Sequence, residues 1–516
     1  MLTFKRLGKW FCAALILVFM LATVAWGGRA QPAGPAQPAA LASFQQTADL
    51  APMGLYPEDV YWDDRFMDNN GVNGSVGAIA ADSNGNVYVG GDFTVAGGMP
   101  ANGIARWDGS AWHALGSGVD GSVYAIAVSG SDVYVGGRFA SAGGMPASRI
   151  ARWDGSAWHT LGSGVSGDVY AIVVSGNNVY VGGTFVSAGG MPVSRIARWD
   201  GSAWHALGSG VNYNYASPIV SAIVVNGSDV YVGGWFTSAS GMPANHIARW
   251  DGSAWHALGS GVSGGAPFPF VRAIAVNESD VYVGGNFTSA GGTPANYIVR
   301  WDGGAWHALG AGVSGEYPTI FALATRGSNV YAGGSAEFAG DVQINGIGYW
   351  NGVHWSRLGS GISGGGVSAL AVANDQVFVG GGFTSAGGKV SQNFAIWHIP
   401  TAPKLHLTYT TGAPGSTFHF TAVGFPASSQ AAIKINGYAF PAQTTSANGD
   451  LTFAVHTASS ARPGKYVVTF SVNPQDSLTF ELDSAAPVRP DVGLPPLELP
   501  GSVPPRTMLY LPLVTR

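Results

Sequence analysis

Seven copies of one short pattern run through most of this chain. The segment VYVGG at Val133–Gly137 recurs with small changes at six other places, which begin at Val87, Val179, Val230, Val281, Val330 and Val377. The copies are 46 to 51 residues apart, a tryptophan follows each first valine by 20 residues, and a second follows 5 residues later in six copies. Periods of this length with four short strands are typical of β-propeller blades. The sequence therefore predicts a seven-bladed β-propeller.

One repeat shows where the four strands lie. Val123–Val128 is apolar nearly throughout, which suits an innermost strand buried on both faces. Val133–Gly137, Ile150–Asp154 and Trp158–Leu161 follow it as short alternating segments separated by glycine-containing turns. A lone sheet of this kind cannot bury its faces, so we expect the sheets to stack with the repeated tryptophans between them.

The last copy has no fourth strand of its own. After Trp397 the chain reaches Pro400, whereas the segment Trp62–Phe66 near the N-terminus resembles the start of a third-strand tryptophan motif. We expect the N-terminal segment to supply the missing strand through Phe66, which would leave no open sheet edge.

The composition supports an all-β class. Only 10% of the residues are charged, whereas 78 are Gly and 29 are Pro, a balance that favours short strands and tight turns. The net charge of -5 is spread along the chain without a basic stripe, so we expect no nucleic-acid partner.

The N-terminus has the pattern of a signal peptide. Basic residues are followed by the uncharged run from Trp10 to Trp26 and small residues near Ala30, which predicts cleavage there and a secreted or cell-surface protein. An uncleaved membrane anchor is the alternative, and we expect no membrane span in the mature chain. Cys12, the sole cysteine, lies in this segment, so the mature protein is expected to lack thiols and disulfides.

Beyond Pro400 the period stops, and alternating strands broken by Gly, Pro and Asn predict an Ig-like β-sandwich. The expected domains are a signal peptide over 1–30, a linker over 31–58, the propeller over 59–400, the sandwich over 402–484, a proline-rich linker over 485–505 and a tail over 506–516.

The strand-end glycine pair, the aromatic-Asp of strand three and the tryptophan of strand four resemble the kelch repeat. In detail, Val133–Phe139 and Ile150–Gly155 look like the propellers of fungal cell-surface polarity markers and of secreted bacterial repeat proteins. The resemblance covers about 340 residues. It implies a fold, because propellers host unrelated activities.

A kelch-type propeller followed by an Ig-like domain is also the layout of galactose oxidase. That family needs a tyrosine cross-linked to a cysteine beside copper, and Cys12 is the sole cysteine of this chain. We therefore expect no such cofactor, and no cofactor or metal of any other kind. No Ser-His-Asp signature, phosphate-binding loop or zinc motif stands in the sequence, so we also expect no catalytic residue.

We interpret the repeated charged residues as structural features of the blades. Six histidines lie beside the fourth-strand tryptophans, and we expect them to face solvent on separate blades: His113, His159, His205, His256, His307 and His354. Arg152 and Asp154, with their counterparts in other blades, are expected to form a repeated ion pair. Asp82–Asn86 resembles the start of a calcium loop but occupies a hairpin position, which favours a turn.

Length variation points to one face of the ring. From the fourth-strand tryptophan to the next second-strand valine the interval is 21 residues after Trp112 and Trp158, but 26 after Trp204 and Trp255 and 24 after Trp306. These junctions emerge on the face that also carries the loops between strands two and three. They bring five aromatic residues there, the candidate ligand-binding residues Tyr213, Tyr215, Phe268, Phe270 and Tyr317.

Exposed aromatic residues on loops are typical of surfaces that stack on sugars or contact proteins. The alternative is that some of them fold back and cap the channel. The expected function is a non-enzymatic, monomeric recognition or scaffold protein that binds a glycan or a protein through this face. A secreted glycan-active enzyme with its site at the channel mouth is the alternative function.

Overall fold

The computed structural model describes residues 56–66, 70–213, 217–400, 404–407, 409–425, 429–445, 451–471, 475–489 and 496–505. The expected signal peptide and the tail 506–516 lie outside these residues. Strands make up almost all the regular secondary structure of the described part, and its helix is the short 3-10 helix Pro57–Tyr61. Within it, no helix is long and apolar enough to cross a membrane.

Repeated antiparallel sheets fill residues 75–398, and in each the strands pair in the order of the chain. Six of these sheets have four strands and the last has three. Sheet by sheet, the strands are Ser75–Ala81, Val87–Asp92, Ile104–Trp107 and Trp112–Ala114; Ser122–Ser129, Asp132–Arg138, Ile150–Trp153 and Trp158–Thr160; Val169–Ser175, Asn178–Gly183, Ile196–Trp199 and Trp204–Ala206; Ile219–Asn226, Asp229–Trp235, Ile247–Trp250 and Trp255–Ala257; Phe270–Asn277, Asp280–Asn286, Ile298–Trp301 and Trp306–Ala308; Ile320–Arg326, Asn329–Gly334, Ile347–Trp350 and Trp355–Arg357; Val367–Ala373, Gln376–Gly381 and Phe394–His398.

A short hairpin lies at one end of every sheet and connects its second and third strands. Four of them gain a third short strand from the preceding junction. Their strands are Val95–Ala96 and Met99–Pro100; Ser141–Ala142 and Met145–Pro146; Ser187–Ala188 and Met191–Pro192; Val211–Asn212, Ser238–Ala239 and Met242–Pro243; Val262–Ser263, Ser289–Ala290 and Thr293–Pro294; Val313–Ser314, Phe338–Ala339 and Val342–Gln343; Ile362–Ser363, Ser385–Ala386 and Lys389–Val390.

The glycine pair explains why the second strand is so constant. A Cβ on Gly136 would lie 2.4 Å from Val169 of the next sheet, and a Cβ on Gly137 would lie 2.1 Å from the Ser122 carbonyl of its own sheet. The first glycine therefore lets neighbouring sheets pack, and the second lets the inner strand approach. A Cβ on Gly380 of the last sheet would meet Val76 of the first at 2.3 Å. The sheets therefore form a closed ring, which is a β-propeller.

Fourth-strand tryptophans join neighbouring sheets. Trp158 is only 4% exposed, and its Nε1 donates a hydrogen bond of 2.9 Å to the Leu115 carbonyl at the end of the preceding sheet. Equivalent bonds are made by Trp204, Trp255, Trp306 and Trp355. Five third-strand tryptophans, Trp153 among them, are only half-buried, whereas Trp107 and Trp397 are buried. As a set, the fourth-strand tryptophans are therefore better buried than the third-strand tryptophans.

The N-terminal segment completes the last sheet, but through a different residue from the one expected. Trp62 forms an antiparallel bridge with Trp397, and its Nε1 donates to the Leu358 carbonyl at 3.0 Å. Trp62 therefore takes the place of a fourth-strand tryptophan. Phe66 lies fully buried, with its ring 5.1 Å from that of Trp107 and 5.0 Å from that of Phe394. Phe66 thus fills the junction between the last and first sheets instead of supplying the paired strand.

Residues after 403 form two sheets packed face to face. One contains Lys404–Leu407, Thr417–Val423, Leu451–Thr457 and Pro496–Leu499, and the other contains Thr411–Gly412, Gln430–Ile435, Tyr438–Ala439, Gly464–Ser471 and Gln475–Leu482, with Gln443–Thr444 paired beside it. Phe418, Phe453 and Phe470 are among the side chains of the shared core.

The segment expected to be a proline-rich linker over 485–505 differs from that expectation. Pro496–Leu499 pairs in parallel with Ala454–Thr457, and Val503 packs into the core of the two sheets. Leu499 is also buried there. The stretch Pro496–Leu499 is long enough to form the edge strand of the first sheet. This part of the segment therefore belongs to the C-terminal domain.

Candidate functional site

One face of the propeller collects the junctions and the short hairpins, because each first and third strand starts there and each second strand ends there. We call it the loop face. Large exposed apolar side chains concentrate on it. Of eight in the described residues 56–400, six lie in its loops, namely Met145, Val186, Phe268, Tyr317, Phe338 and Val390. Such clustering is typical of contact surfaces.

The expected aromatic residues differ in exposure. Tyr317 is 80% exposed and Phe268 is 56% exposed, so both point to solvent. Tyr213 and Phe270 are half-buried, whereas Tyr215 lies outside the described residues. The structure brings Tyr213 and Phe268 into one cluster, and leaves Tyr317 on the next junction.

The cluster is held together by a residue that the sequence analysis missed. The Trp235 ring lies 5.0 Å from that of Tyr213 and 5.8 Å from that of Phe268, measured between centroids. We call Tyr213, Trp235 and Phe268 the aromatic strip. Trp235 directly follows the glycine pair of the fourth repeat, at the position that Arg138 has in the second repeat. It therefore ends a second strand at the loop face. A bulky aromatic at a position that is polar or glycine in the other repeats was the signal available.

A polar groove adjoins the strip. Hydroxyl and amide side chains line it, namely Ser194, Asn212, Thr237, Ser238 and Ser240. The Asn212 side-chain oxygen accepts a hydrogen bond of 2.8 Å from the backbone N–H of Tyr213, which fixes the start of the strip against the groove. An aromatic surface beside hydroxyl groups can stack on a sugar ring and hydrogen-bond its hydroxyls.

The inner strands contribute a second group of residues. Each inner strand carries a β-bulge at its third or second residue, for example between Val123 and Ala125 and between Val271 and Ala273. Bulges redirect side chains. The residue at the bulge is Gly77, Tyr124, Tyr170, Ser221, Arg272, Phe321 or Ser368, in chain order. We call these seven the channel-mouth ring.

Neighbouring members of this ring touch. The Tyr124 and Tyr170 rings stack with centroids 5.2 Å apart, and the Arg272 guanidinium lies 5.7 Å from the Phe321 ring. Ser221 Oγ donates to the Val271 carbonyl at 2.6 Å, directly before Arg272. The strand residues on either side are nearly the same in every repeat, whereas the residue at the ring position differs between repeats. The channel mouth on the loop face therefore differs in chemistry around the ring, from two stacked tyrosines to one arginine and two serines.

A third set of variable residues precedes the third strands. Arg149, Arg195, His246, Tyr297 and Asn393 all have φ between 62° and 69°, in the left-handed region that favours glycine. Their carbonyls accept the N–H of the second glycine of the pair, as Arg149 does for Gly137 at 3.0 Å. Non-glycine side chains kept in a strained conformation are characteristic of functional surfaces.

Histidine and aspartate pair at the other end of the sheets. His159 Nε2 lies 2.6 Å from Asp154 Oδ2, and the counterparts of this pair recur in four other sheets. Hydrogen bonds from Ala157, His159 and Ser156 hold the pKa of Asp154 well below its ordinary value. The histidines are half-exposed on the rim. Each is bound within its own sheet, so they do not converge on a common ion.

The expected pairing of Arg152 with Asp154 is wrong. Arg152 instead bonds Asp132 at 2.8 Å, and Arg249 and Arg300 bond Asp229 and Asp280 in the same way. The register of the strands explains this. Arg152 lies opposite His159, which itself bonds Asp154, and Asp132 lies diagonally across from Arg152 on the second strand.

Asp82–Asn86 forms a turn, as the sequence favours. The Asp82 carboxylate accepts the backbone N–H groups of Asn84 at 2.8 Å and Asn86 at 2.9 Å. The carboxylate is thus used in capping its own hairpin.

Many solved structures, among them the following three, are similar to parts of this chain. The extracellular domain of a putative one-component system from B. thetaiotaomicron shares 12% identity over 81% of this chain at a TM-score of 0.41, and this chain spans 57% of that domain. The WD40 propeller domain of Doa1 shares 12% identity over 63% of this chain and 93% of its own length, with a TM-score of 0.38. A fungal alcohol oxidase of the AA5 family in complex with copper shares 11% identity over 80% of this chain and 97% of its own, with a TM-score of 0.34.

No family model matches the chain. No curated protein matches it either. Likenesses this distant transfer neither activity nor ligand. The propeller assignment rests on the sheet order and on the contact between the first and last sheets.

Proposed function

We propose that this protein is a non-enzymatic recognition protein, secreted or displayed at a cell surface, that binds a glycan or a protein through the loop face. The observation that carries the proposal is the aromatic strip beside the polar groove. Phe268 is 56% exposed, and it continues through Trp235 and Tyr213 to a row of hydroxyl groups. Exposed aromatic side chains of this kind add little to folding stability, because they stay in contact with water, and they gain contact area in a complex.

The wider architecture is part of the proposal. We infer seven kelch-type blades over 59–400 and an Ig-like sandwich from 402 onward. The Tyr466 hydroxyl donates to the Arg462 carbonyl at 2.8 Å, four residues upstream, and this is consistent with the tyrosine corner of such sandwiches. The signal peptide over 1–30 remains a prediction that N-terminal sequencing of the exported protein tests.

A glycan and cell-surface binding screen with the purified protein tests the function. The variant that replaces Tyr213, Trp235 and Phe268 by Ser should lose binding by at least tenfold, because it removes the stacking surface. Tyr438→Ser is the matched control, since Tyr438 is an exposed tyrosine of the C-terminal domain. Equal binding by the triple variant would contradict the proposal.

The same screen separates a binder from an enzyme. A recognition protein gives saturable binding and releases no product from a polysaccharide panel. Release of reducing ends would instead support the glycan-active alternative. Separate replacement of Tyr215, Phe270 and Tyr317 shows how far the surface extends along the three junctions.

A further inference from the structure

A cation without a counter-ion stands at the channel mouth. Arg272 is the charged member of the channel-mouth ring, and it forms no ion pair with any described residue. Its Nε is buried and has no hydrogen-bond acceptor there. Arg152, Arg249 and Arg300, by contrast, each have an aspartate 2.7 to 2.8 Å away.

Aromatic rings rather than carboxylates position this guanidinium. It lies 4.1 Å from the Phe270 ring centroid and 5.7 Å from that of Phe321. Stacking of this kind fixes the plane of the guanidinium while its N–H groups stay available. Burial lowers the pKa of Arg272, an effect that Tyr170 opposes, but an arginine keeps its charge at neutral pH.

Keeping an unpaired guanidinium in this place is unfavourable for folding. Arg272 as a whole is half-buried, but its Nε is buried without an acceptor among the described residues, which is costly, and the bulge positions of other blades carry glycine, serine or aromatic residues instead. A ligand that supplies the missing acceptor would compensate for this cost. Phe270 follows Phe268 by two residues, so the same junction connects Arg272 to the aromatic strip.

The surroundings indicate the class of anion. One planar guanidinium with free N–H groups matches one carboxylate, which it can bind with two parallel hydrogen bonds. Across the mouth, the Asp168 carboxylate lies 3.7 Å from Arg149 Nε and so already has a counter-ion. One guanidinium balances one negative charge, which suits a singly charged carboxylate better than a doubly charged phosphate monoester.

We propose that Arg272 binds the carboxylate of an acidic sugar, a uronic acid residue of a glycan, whose neighbouring units lie along the aromatic strip. This proposal deepens the proposed function and rests on its glycan branch. Ser221, the small ring member before Arg272, donates its hydroxyl to the Val271 carbonyl at 2.6 Å.

Calorimetric titration with sodium glucuronate and with glucose tests the site directly. Wild-type protein should bind glucuronate saturably and at least tenfold more tightly than glucose. Arg272→Gln should abolish this difference. Arg326→Gln is the matched control, because Arg326 ends the next inner strand at the opposite face and removing it changes the net charge equally. Binding of glucuronate that Arg272→Gln leaves unchanged would overturn the proposal.

Matched oligosaccharides test the glycan. Oligogalacturonate should bind wild-type protein more tightly than the neutral galacto-oligosaccharide of equal length, and Arg272→Gln should bring the two affinities together. Binding of oligoglutamate but of no sugar acid would assign the site to a peptide carboxylate and overturn the proposal. Glucuronate binding without any oligosaccharide binding would overturn the glycan function while the Arg272 site stands.

A stability measurement excludes misfolding as the cause. Arg272→Met should have a melting temperature equal to or above that of wild type, because it removes an unpaired half-buried charge. A marked fall in melting temperature would identify Arg272 as a structural residue and overturn the proposal.

Discussion

Single tryptophans differ in what they contribute, although the repeat makes them look alike. Trp158 is buried and donates to the next sheet, while Trp153 of the same hairpin is half-exposed. Burial removes apolar area from water, so the two positions cannot be equivalent.

Trp158→Ala should therefore lower the free energy of unfolding by about 3 to 5 kcal/mol, the usual cost of a large cavity. Trp153→Ala should cost clearly less. Chemical denaturation of both variants measures the two free energies of unfolding. Equal decreases would show that exposure does not distinguish the third-strand from the fourth-strand tryptophans.

A buried histidine gives the protein an acid-sensitive position. His246 is 5% exposed, and desolvation lowers its pKa from 6.5 to about 4, more than the backbone hydrogen bond with Gly234 raises it. The folded pKa lies below the unfolded one, so between these values the unfolded state binds more protons. Stability is thus unaffected by this residue above pH 6.5 and falls as the pH drops towards 4, by about 3 kcal/mol in all.

His246→Asn should reduce the loss of unfolding free energy between pH 7 and pH 4 by about that amount. Asparagine suits the site, because Asn393 holds the equivalent left-handed conformation in the last sheet. His354→Asn, at an exposed position, is the control. An unchanged pH profile of the His246 variant would refute the assignment.

At the scale of the strand, the glycine pair determines how closely sheets approach. A Cβ on Gly182 would lie 2.3 Å from Val220 and 2.9 Å from Ile223 of the next sheet. Gly304, in a turn between third and fourth strands, would place its Cβ no closer than 3.7 Å to another group.

Gly182→Ala should lower the free energy of unfolding by about 1 to 3 kcal/mol through overpacking. Gly304→Ala should change it by less than about 0.5 kcal/mol, since exposed substitutions usually stay within that range. Denaturant titration of both variants tests this. A tolerated Gly182→Ala would mean that the sheets can move apart.

For the whole molecule, ring closure depends on the segment before the first sheet. Trp62 pairs with Trp397, Asp59 accepts hydrogen bonds from Ser360, and Phe66 fills the junction between the last and first sheets. Without them the last sheet has three strands and an open edge, which favours association.

Deletion of residues 31–70 should lower the melting temperature sharply and produce oligomers in sedimentation experiments. Truncation after residue 400 is the comparison and should leave the ring folded. An unchanged melting temperature of the N-terminal deletion would rule out this mode of closure.

The repeat alone determined the inner, second, third and fourth strands, because a pattern copied seven times is constrained by packing at every copy. The place of function was also suggested by the junctions that vary in length. Neither Trp235 nor Arg272 was identified, because each stands at a position that varies among the repeats, and its meaning depends on which aromatic rings lie beside it.

Tertiary structure alone decided the partners. Arg152 bonds Asp132 rather than Asp154, and Trp62 rather than Phe66 completes the last sheet. Arg152 stands opposite Tyr134 and His159, so Asp132 is within diagonal reach. Asp154, by contrast, is already held by His159 and its own turn. Sequence spacing shows which residues share a face, but the register between strands decides which of them meet.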